Sequence, residues 1–278
     1  MTTVTAPPPA SVGVLLRDWR QRRRLSQLDL AMEAEVSARH LSFVETGRAK
    51  PSRELVLHLA GHLEVPLRER NTLLLAAGYA PVYQQTQLDD AAMGPVRAAL
   101  DRIVGAHQPF PAVVVDRRWD LVTANAAALE ILTDGVAPAL LAPPPNALRV
   151  SLHPDGLAGR IENLEEWAQH LLERLDRQVA TSGARDLRDL ARELRSYPNM
   201  ASLARPGAEG GVVQTGELAE RLFVPLVLRH RGRRLRLFST VATFGTALDI
   251  TIAELAIESF FPADAETAAA LEGGRAPG

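Results

Sequence analysis

The stretch LSQLDLAMEAEVSARHLSFVETG, residues 25–47, has the pattern of two short helices joined by a turn. Ser26 and Ser37 each precede a helical pattern, and a serine in that position caps a helix by accepting a hydrogen bond from a first-turn amide. Asp29, at the third helical position, can complete the first cap. Gly47 ends the second helix, as glycine commonly does at helix C-termini. The stretch therefore predicts a helix-turn-helix whose second helix begins at Ser37.

The two faces of this second helix differ in polarity. Leu41 and Val44 form an apolar face that we expect to pack against the other helices. Apart from Phe43, the opposite face is polar or small, as a helix that enters the DNA major groove requires. Its residues are Ala38, Arg39, His40, Ser42 and Phe43. The pattern favours binding to double-stranded DNA; the alternatives are a merely solvated arginine and a phenylalanine that packs against the fourth helix.

Length, charge and cysteine content limit the class of protein. A chain of 278 residues suits two domains. The absence of cysteine excludes a disulfide scaffold, a thiol nucleophile and thiolate metal sites. Without an 18-residue apolar run or a signal peptide, we expect a cytoplasmic protein with no membrane partner, and residues 1–10 as a disordered leader. Residues 11–53 contain nine Lys or Arg and five Asp or Glu, a net charge of +4, so the rest of the chain sums to −6.

Helical signals continue on both sides of the opening stretch. Val12, Leu15, Leu16 and Trp19 fall on one face of a first helix. Ser52 caps a fourth helix, and a fifth extends over about residues 67–77. Together these patterns predict an all-α helix-turn-helix domain of five helices over residues 11–83. A weaker helical pattern over residues 84–108 indicates a helical connector.

The pattern changes from helical to extended after residue 108. Residues 112–125 predict two short strands, with Asn125 capping a helix after them. Helices are predicted over 162–180 and 186–196, a glycine-rich loop over 207–211, and strands over 221–228, 233–244 and 251–260. This order predicts an α+β domain with an antiparallel sheet over residues 109–264, followed by a disordered tail over 265–278.

The first domain resembles the helix-turn-helix of the xenobiotic response element (XRE) family. The resemblance rests on LSQ at 25–27, LA at 30–31, VS at 36–37 and S-x-x-E-x-G at 42–47, with a proline in the following loop. It covers about residues 11–80 and implies a lambda-repressor-like fold. We expect a homodimer on a DNA operator, because one short helix contacts too few base pairs for useful specificity.

The XRE resemblance implies roles for individual residues. Gln27 binds a phosphate, Arg39 contacts bases, and Ala38 meets a thymine methyl group. The remaining assignments are DNA backbone contacts for Ser37, Arg48 and Lys50, and a structural ion pair between Arg20 and Glu45. Glu35 departs from the family pattern, because relatives often have glycine at this turn position. A glutamate with positive φ costs on the order of 1 kcal/mol.

The second domain resembles the PAS-like domain of MmyB-like regulators, in which it follows an XRE-type domain. The resemblance rests on VVVDRRWDLVTANAAA at 113–128, GYAPVY at 78–83, LRVSLHPDGL at 148–157 and ALDITIAELAIESFFPAD at 247–264. It implies a sensory fold with a pocket for a small apolar ligand, for which a fatty acid is the family's suggestion, and no required cofactor. Candidate pocket residues are Trp119, Asn163, Trp167, Phe238 and Phe244. The alternative is a second domain that only dimerises or binds a protein partner.

The other motifs favour no further activity. The segment RHRGRRLR at 229–236 indicates a solvated hairpin end, and the alternative is a cationic rim for a ligand carboxylate. The segment HPD at 153–155 predicts a turn. His58 and His62 have zinc-ligand spacing, but no Glu lies between them as in H-E-x-x-H, so we predict no metal site. No G-x-S-x-G, P-loop or G-x-G-x-x-G occurs. The sequence thus predicts a sequence-specific, DNA-binding transcriptional regulator that senses an apolar ligand, and not an enzyme.

Overall fold

A computed structural model describes residues 11–201 and 223–273 of the protein. The predicted leader 1–10, the glycine-rich loop 207–211, the start of the strand predicted over 221–228 and residues 274–278 of the predicted tail lie outside this range. The chain divides into two compact units. One contains the residues up to Gln85 together with Ala180–Ser182 and Ala247–Ala253, and the other contains the remainder.

The first unit is built around the five helices that the sequence predicts. The first four begin at serines whose hydroxyls accept hydrogen bonds from first-turn amides, and Ser26 with Asp29 forms the predicted capping box. Apolar side chains from all five helices meet in one core, which includes Leu16, Leu41 and Leu74. The helices are α1 (Val12–Arg22), α2 (Gln27–Glu33), α3 (Ala38–Glu45), α4 (Arg53–His62) and α5 (Leu67–Ala76).

The turns after these helices contain residues with positive φ. Arg24, Glu35 and Glu64 have φ values of 60°, 51° and 48°, while Gly47 and Gly78 have values of 73° and 81°. At Glu35 the chain keeps the left-handed backbone conformation that glycine favours, with a glutamate in place. The helix-turn-helix therefore retains its turn and bears a strain of about 1 kcal/mol there.

The second unit is an α+β structure around one five-stranded antiparallel sheet. Its helices cover both faces of the sheet. Its strands are β1 (Ala112–Val115), β2 (Leu121–Ala124), β3 (Leu226–His230), β4 (Arg233–Thr243) and β5 (Ala256–Pro262). Its helices are α6 (Gly94–Ala106), α7 (Ala126–Thr133), α8 (Ala147–Leu152), α9 (Leu164–Ser182, whose last three residues group with the first unit), α10 (Arg185–Arg195), α11 (Pro198–Ala201) and α13 (Ala265–Glu272).

The strand order is β2-β1-β5-β4-β3, so that β5 lies in the middle of the sheet. On β5, Glu258 pairs with Val113 of β1 and with Val241 of β4, and paired residues in antiparallel strands point to the same face. Val113 belongs to the larger core, which the helices from α7 to α10 complete. Val114 points to the opposite face and packs against α6. Glu258 therefore lies on the face of the sheet that borders the larger core.

Three sequence predictions about boundaries were wrong. The segment 84–108 is more than a connector, because α6 packs Leu100 and Val104 against the sheet. The strand predicted over 251–260 is instead a short helix, α12 (Ile250–Ala253), followed by β5, which continues to Pro262. The tail predicted to be disordered from residue 265 contains α13, because Asp264 caps that helix and Thr267 is fully buried.

The predicted fold class is confirmed. The chain consists of an all-α helix-turn-helix domain of five helices in the lambda-repressor-like arrangement, followed by a PAS-like α+β domain with an antiparallel sheet. Local signals were sufficient for most of the first part, because its first four helices each begin at a serine cap.

Candidate functional site

Helix α3 separates its buried and exposed residues as the sequence predicts. Leu41 and Val44 are buried in the helical core. Arg39 and His40 are exposed, while Ala38, Ser42 and Phe43 are half-buried. Ser37 caps the helix, since its hydroxyl oxygen accepts a hydrogen bond from the His40 amide at 3.4 Å. The polar face and the N-terminal turn of α3 are thus exposed, as they are in a helix that enters a DNA groove.

A cluster of cations surrounds the aromatic ring of Phe43. The guanidinium of Arg39 lies 5.4 Å from the ring centroid, and that of Arg48 lies 5.9 Å from it. Both distances are within the range of cation–π attraction. Lys50 lies over Tyr79 in the same way, at 5.2 Å. Phe43 therefore lies beneath two arginines and holds them at the exposed surface of the first unit.

The predicted ion pair between Arg20 and Glu45 is present and buried. Arg20 donates two hydrogen bonds to the Glu45 carboxylate, at 2.7 and 2.9 Å, and a third to the Leu25 carbonyl at 2.8 Å. Gln27 donates a fourth hydrogen bond of this network to Glu45, at 2.8 Å. Burial by itself raises the pKa of Glu45, but the hydrogen bonds from Arg20 and Gln27 and the charge of Arg20 lower it below its ordinary value.

The second unit contains an apolar cavity of about 250 Å³ on the inner face of its sheet. The cavity lies between the sheet and the helices that cover it. Aliphatic and aromatic side chains form most of its wall, among them Leu148, Leu171 and Phe260. Such a wall favours an apolar occupant with few polar groups.

Two of the candidate pocket residues, Trp119 and Trp167, line this cavity. The indole nitrogen of Trp119 donates to Gln178 at 2.9 Å, and that of Trp167 donates to Ser151 at 3.1 Å. Trp119 also has a φ of 67°, which is rare for a bulky side chain. Both rings are thus held by hydrogen bonds at their polar edges, and both form part of the cavity wall.

The other three candidates do not line the cavity described here. Asn163 ties the start of α9 to β3, with a hydrogen bond of 2.7 Å to the Pro225 carbonyl. Phe238 points to the outer face of the sheet, where its ring stacks on Phe261 at 5.3 Å. Phe244 packs beside α6. The sequence showed two apolar faces on β4 but not which of them bordered the cavity, and the choice of Phe238 and Phe244 was wrong.

The arginine-rich hairpin between β3 and β4 does not form a rim for this cavity. Arg229 and Arg234 both bond the carboxylate of Glu162, at 2.7 and 2.6 Å, on the protein surface. Arg231 forms an ion pair with Glu130. The simpler interpretation of this segment, a solvated hairpin end held by surface ion pairs, fits these contacts.

Sequence reasoning missed the charged residue of the cavity wall. Glu258 lines the cavity and its side chain is only 8% exposed. It accepts hydrogen bonds from Ser239 at 2.8 Å and from Arg174 at 3.3 Å, and the Arg174 guanidinium lies 4.4 Å from the Trp119 ring centroid. The signal was an acidic residue at the centre of the apolar strand AIESFFP.

The structure also bears on His58, on the turn at 153–155 and on the hydropathy of the helices. His58 bonds the Ala34 carbonyl at the end of α2, at 2.7 Å, and no group of three metal-ligating side chains occurs in the described part of the chain. Residues 153–155 form the predicted turn. Among the helices that the structure describes, none has the length and hydropathy of a membrane span.

An exposed, Ser-capped helix in a helix-turn-helix domain, joined to an α+β domain with an apolar cavity, defines a DNA-binding regulator with a ligand-binding domain. Comparison with family models supports this class. A model described as MmyB-like transcription regulator ligand binding domain matches residues 96–273, and one described as helix-turn-helix domain matches residues 11–73. The first match covers more than half of the chain, which therefore belongs to the MmyB-like transcription regulators.

No curated protein matches the chain. One solved structure, described as "Structure of an RNA-binding Light-Oxygen-Voltage Receptor", is similar at 14% sequence identity with a TM-score of 0.24. The alignment covers 95% of this chain and 61% of that one.

Proposed function

We propose that this regulator binds a double-stranded DNA operator as a homodimer through α3 and that a small apolar ligand in the second unit alters this binding. The observation that supports the ligand role most directly is the apolar cavity of about 250 Å³ on the inner face of the sheet. An engineered apolar cavity of about 150 Å³ binds benzene. The cavity therefore has room for a somewhat larger apolar molecule, and a fatty acid of short chain length is a candidate suggested by the family resemblance.

The proposed DNA contacts depend on the exposure of the cationic face of α3. Arg39, Arg48 and Lys50 are exposed, and the aromatic rings beneath them hold their charges in place. Phosphate contacts from such groups position a protein on DNA, and a bidentate arginine distinguishes bases. We further propose a cytoplasmic location, where such a protein meets its operator.

The ligand proposal is tested by filling the cavity. Ala128 lines the cavity and is 2% exposed, so Ala128→Leu should occupy part of its volume. Ala98 lies on the exposed side of α6, and Ala98→Leu is the matched control because it adds the same atoms outside the cavity. The purified proteins are denatured, and the released small molecules are identified by mass spectrometry.

The expected result is an apolar compound released from the wild type and the Ala98→Leu variant, and much less from the Ala128→Leu variant. The same compound should raise the thermal midpoint of the wild type, since a ligand that binds only the native state stabilises it. If no compound is found, and an apolar panel of fatty acids and alcohols leaves the midpoint unchanged, the second unit is an assembly module and not a sensor. Selecting bound fragments of genomic DNA tests the operator separately.

A further inference from the structure

The wall of the cavity contains one charged group among the described residues that line it, the carboxylate of Glu258. This carboxylate lies on the middle strand of the sheet and faces the cavity side, because Glu258 pairs with Val113 of the larger core. Its side chain is 8% exposed. A buried carboxylate in an apolar wall is costly unless its oxygens are paired and hydrogen-bonded.

The hydrogen bonds that Glu258 accepts within the protein leave part of its capacity unused. Oε1 accepts from the Ser239 hydroxyl and Oε2 accepts from Arg174. An ionised carboxylate has about four acceptor positions. Roughly two acceptor positions of the Glu258 carboxylate, which borders the cavity, therefore remain for another donor.

The other polar side chains of the cavity wall have few N–H or O–H groups left to donate to an acceptor on a ligand. The amide nitrogen of Asn146 donates to the Arg118 carbonyl and to Asp120, at 2.7 and 2.9 Å. The hydroxyl of Thr133 donates to the Leu129 carbonyl at 2.9 Å. The polar hydrogens of Asn146 and Thr133 thus form hydrogen bonds within the protein. The hydroxyl of Ser151, which accepts from Trp167, can still donate.

We infer that the cavity takes a small apolar molecule whose head group is a hydrogen-bond donor, a hydroxyl or a protonated amine, directed at Glu258. This inference rests on the ligand role proposed above, but it specifies a donor head group in place of the fatty acid that the family resemblance suggests. A ligand carboxylate in the same position would bring two negative charges together, which is unfavourable in an apolar wall. Arg174 is not among the residues that line the cavity, so its guanidinium does not face a ligand carboxylate there.

The inference is tested on the full chain with two matched series: hexan-1-ol, hexan-1-amine and hexanoate, and the three octyl compounds. Binding is measured by isothermal titration calorimetry at pH 7.5. We expect the alcohol or the amine to bind at least about tenfold more tightly than the carboxylate of equal length, since a hydrogen bond to a charged group is worth about one factor of ten or more. Whether the alcohol or the amine binds better distinguishes the two donors.

Three variants test whether Glu258 causes the preference for the alcohol or the amine. Glu258→Gln should reduce the binding of the preferred compound about tenfold and leave carboxylate binding unchanged or tighter. Glu193→Gln is the matched control, because Glu193 also pairs with an arginine of the same unit but does not line the cavity. Ser151→Ala tests the remaining hydroxyl of the wall that can donate. Circular dichroism confirms that each variant is folded, and the comparison of compounds on the wild type does not depend on any variant.

The outcomes separate this inference from the proposed ligand role. If none of the six compounds binds, the ligand role itself fails for ligands of this size. If all bind and the carboxylates bind as tightly as the alcohols and amines, the cavity is a ligand site but the donor inference is wrong. It is also wrong if Ser151→Ala, and not Glu258→Gln, removes the preference.

Discussion

The side-chain amide of Gln27 donates a hydrogen bond of 2.8 Å to Oε2 of Glu45, the oxygen that also accepts from Arg20 at 2.9 Å. A glutamine amide has two N–H donors, so Gln27 can offer its second one to another acceptor. The XRE resemblance places a DNA phosphate at this residue. The buried ion pair therefore supports the first unit and also orients a side chain at the start of α2.

Removal of Arg20 should destabilise the first unit strongly. The variant Arg20→Met leaves the Glu45 carboxylate buried without its cation, and breaking a buried pair in this way costs about 3–5 kcal/mol. The control is Arg53→Met, because Arg53 is exposed on α4 and its loss should change stability by less than about 0.5 kcal/mol. Hydrogen exchange of peptides from residues 11–85 measures the free energy of opening for this unit alone. Equal protection in the two variants would contradict the structural role of the pair.

Acid should destabilise the first unit through Glu45. The pKa of Glu45 in the folded chain lies below its ordinary value of 4.5, so its contribution to stability is complete above that value and is lost as the pH falls through the lowered pKa. The first unit should therefore lose stability between neutral pH and about pH 3 more steeply in the wild type than in Glu45→Gln. Urea titrations followed by NMR signals of core amides of α1 and α4 give the stability at each pH. Parallel pH profiles of the two proteins would exclude Glu45 as a cause.

Arg39 and Gln27 should affect DNA binding in different ways. A bidentate contact from Arg39 to a guanine contributes about 1–3 kcal/mol of discrimination, so Arg39→Ala should weaken operator binding about tenfold or more and relax the preference at one base pair. Gln27→Ala should weaken binding to all sequences, because a phosphate contact contains no sequence information. Fluorescence anisotropy on the operator, its single-base variants and random DNA at fixed salt measures both effects. An equal loss on operator and random DNA for Arg39→Ala would remove it as a base contact.

The first unit could be predicted well because its signals are local. Serine caps and apolar stripes predicted its helices, and the XRE resemblance predicted the ion pair between Arg20 and Glu45. Even the departure at Glu35 was visible, and the backbone there has the positive φ that the motif implies. Each of these features depends on residues close in sequence or on a fixed spacing.

The second unit was predicted less well because its site depends on contacts between distant residues. An alternating strand such as β4 does not reveal which face borders the cavity, so Phe238 was assigned to the wrong face. The strand was predicted to start at Thr251, but the backbone of Ile250–Ala253 forms a helical turn, and the Ile250 amide donates to the Gln84 carbonyl at 2.8 Å. Glu258 accepts a hydrogen bond from Arg174, which lies 84 positions away in the sequence, and no local pattern predicts this contact.

The left-handed residues at the helix ends allow a matched test of backbone strain in the first unit. Gly47 has a φ of 73°, and an added Cβ would meet no atom within 4 Å, so Gly47→Ala should cost about 1 kcal/mol through the backbone alone. Glu35, with a φ of 51°, is the reverse case, and Glu35→Gly should relieve part of a similar strain. The gain should be smaller than 1 kcal/mol, because glycine also makes the unfolded chain more flexible. Hydrogen exchange of the first unit measures both changes. If Glu35→Gly destabilised the unit and Gly47→Ala left its stability unchanged, side-chain contacts, and not φ, would determine the stability of these turns.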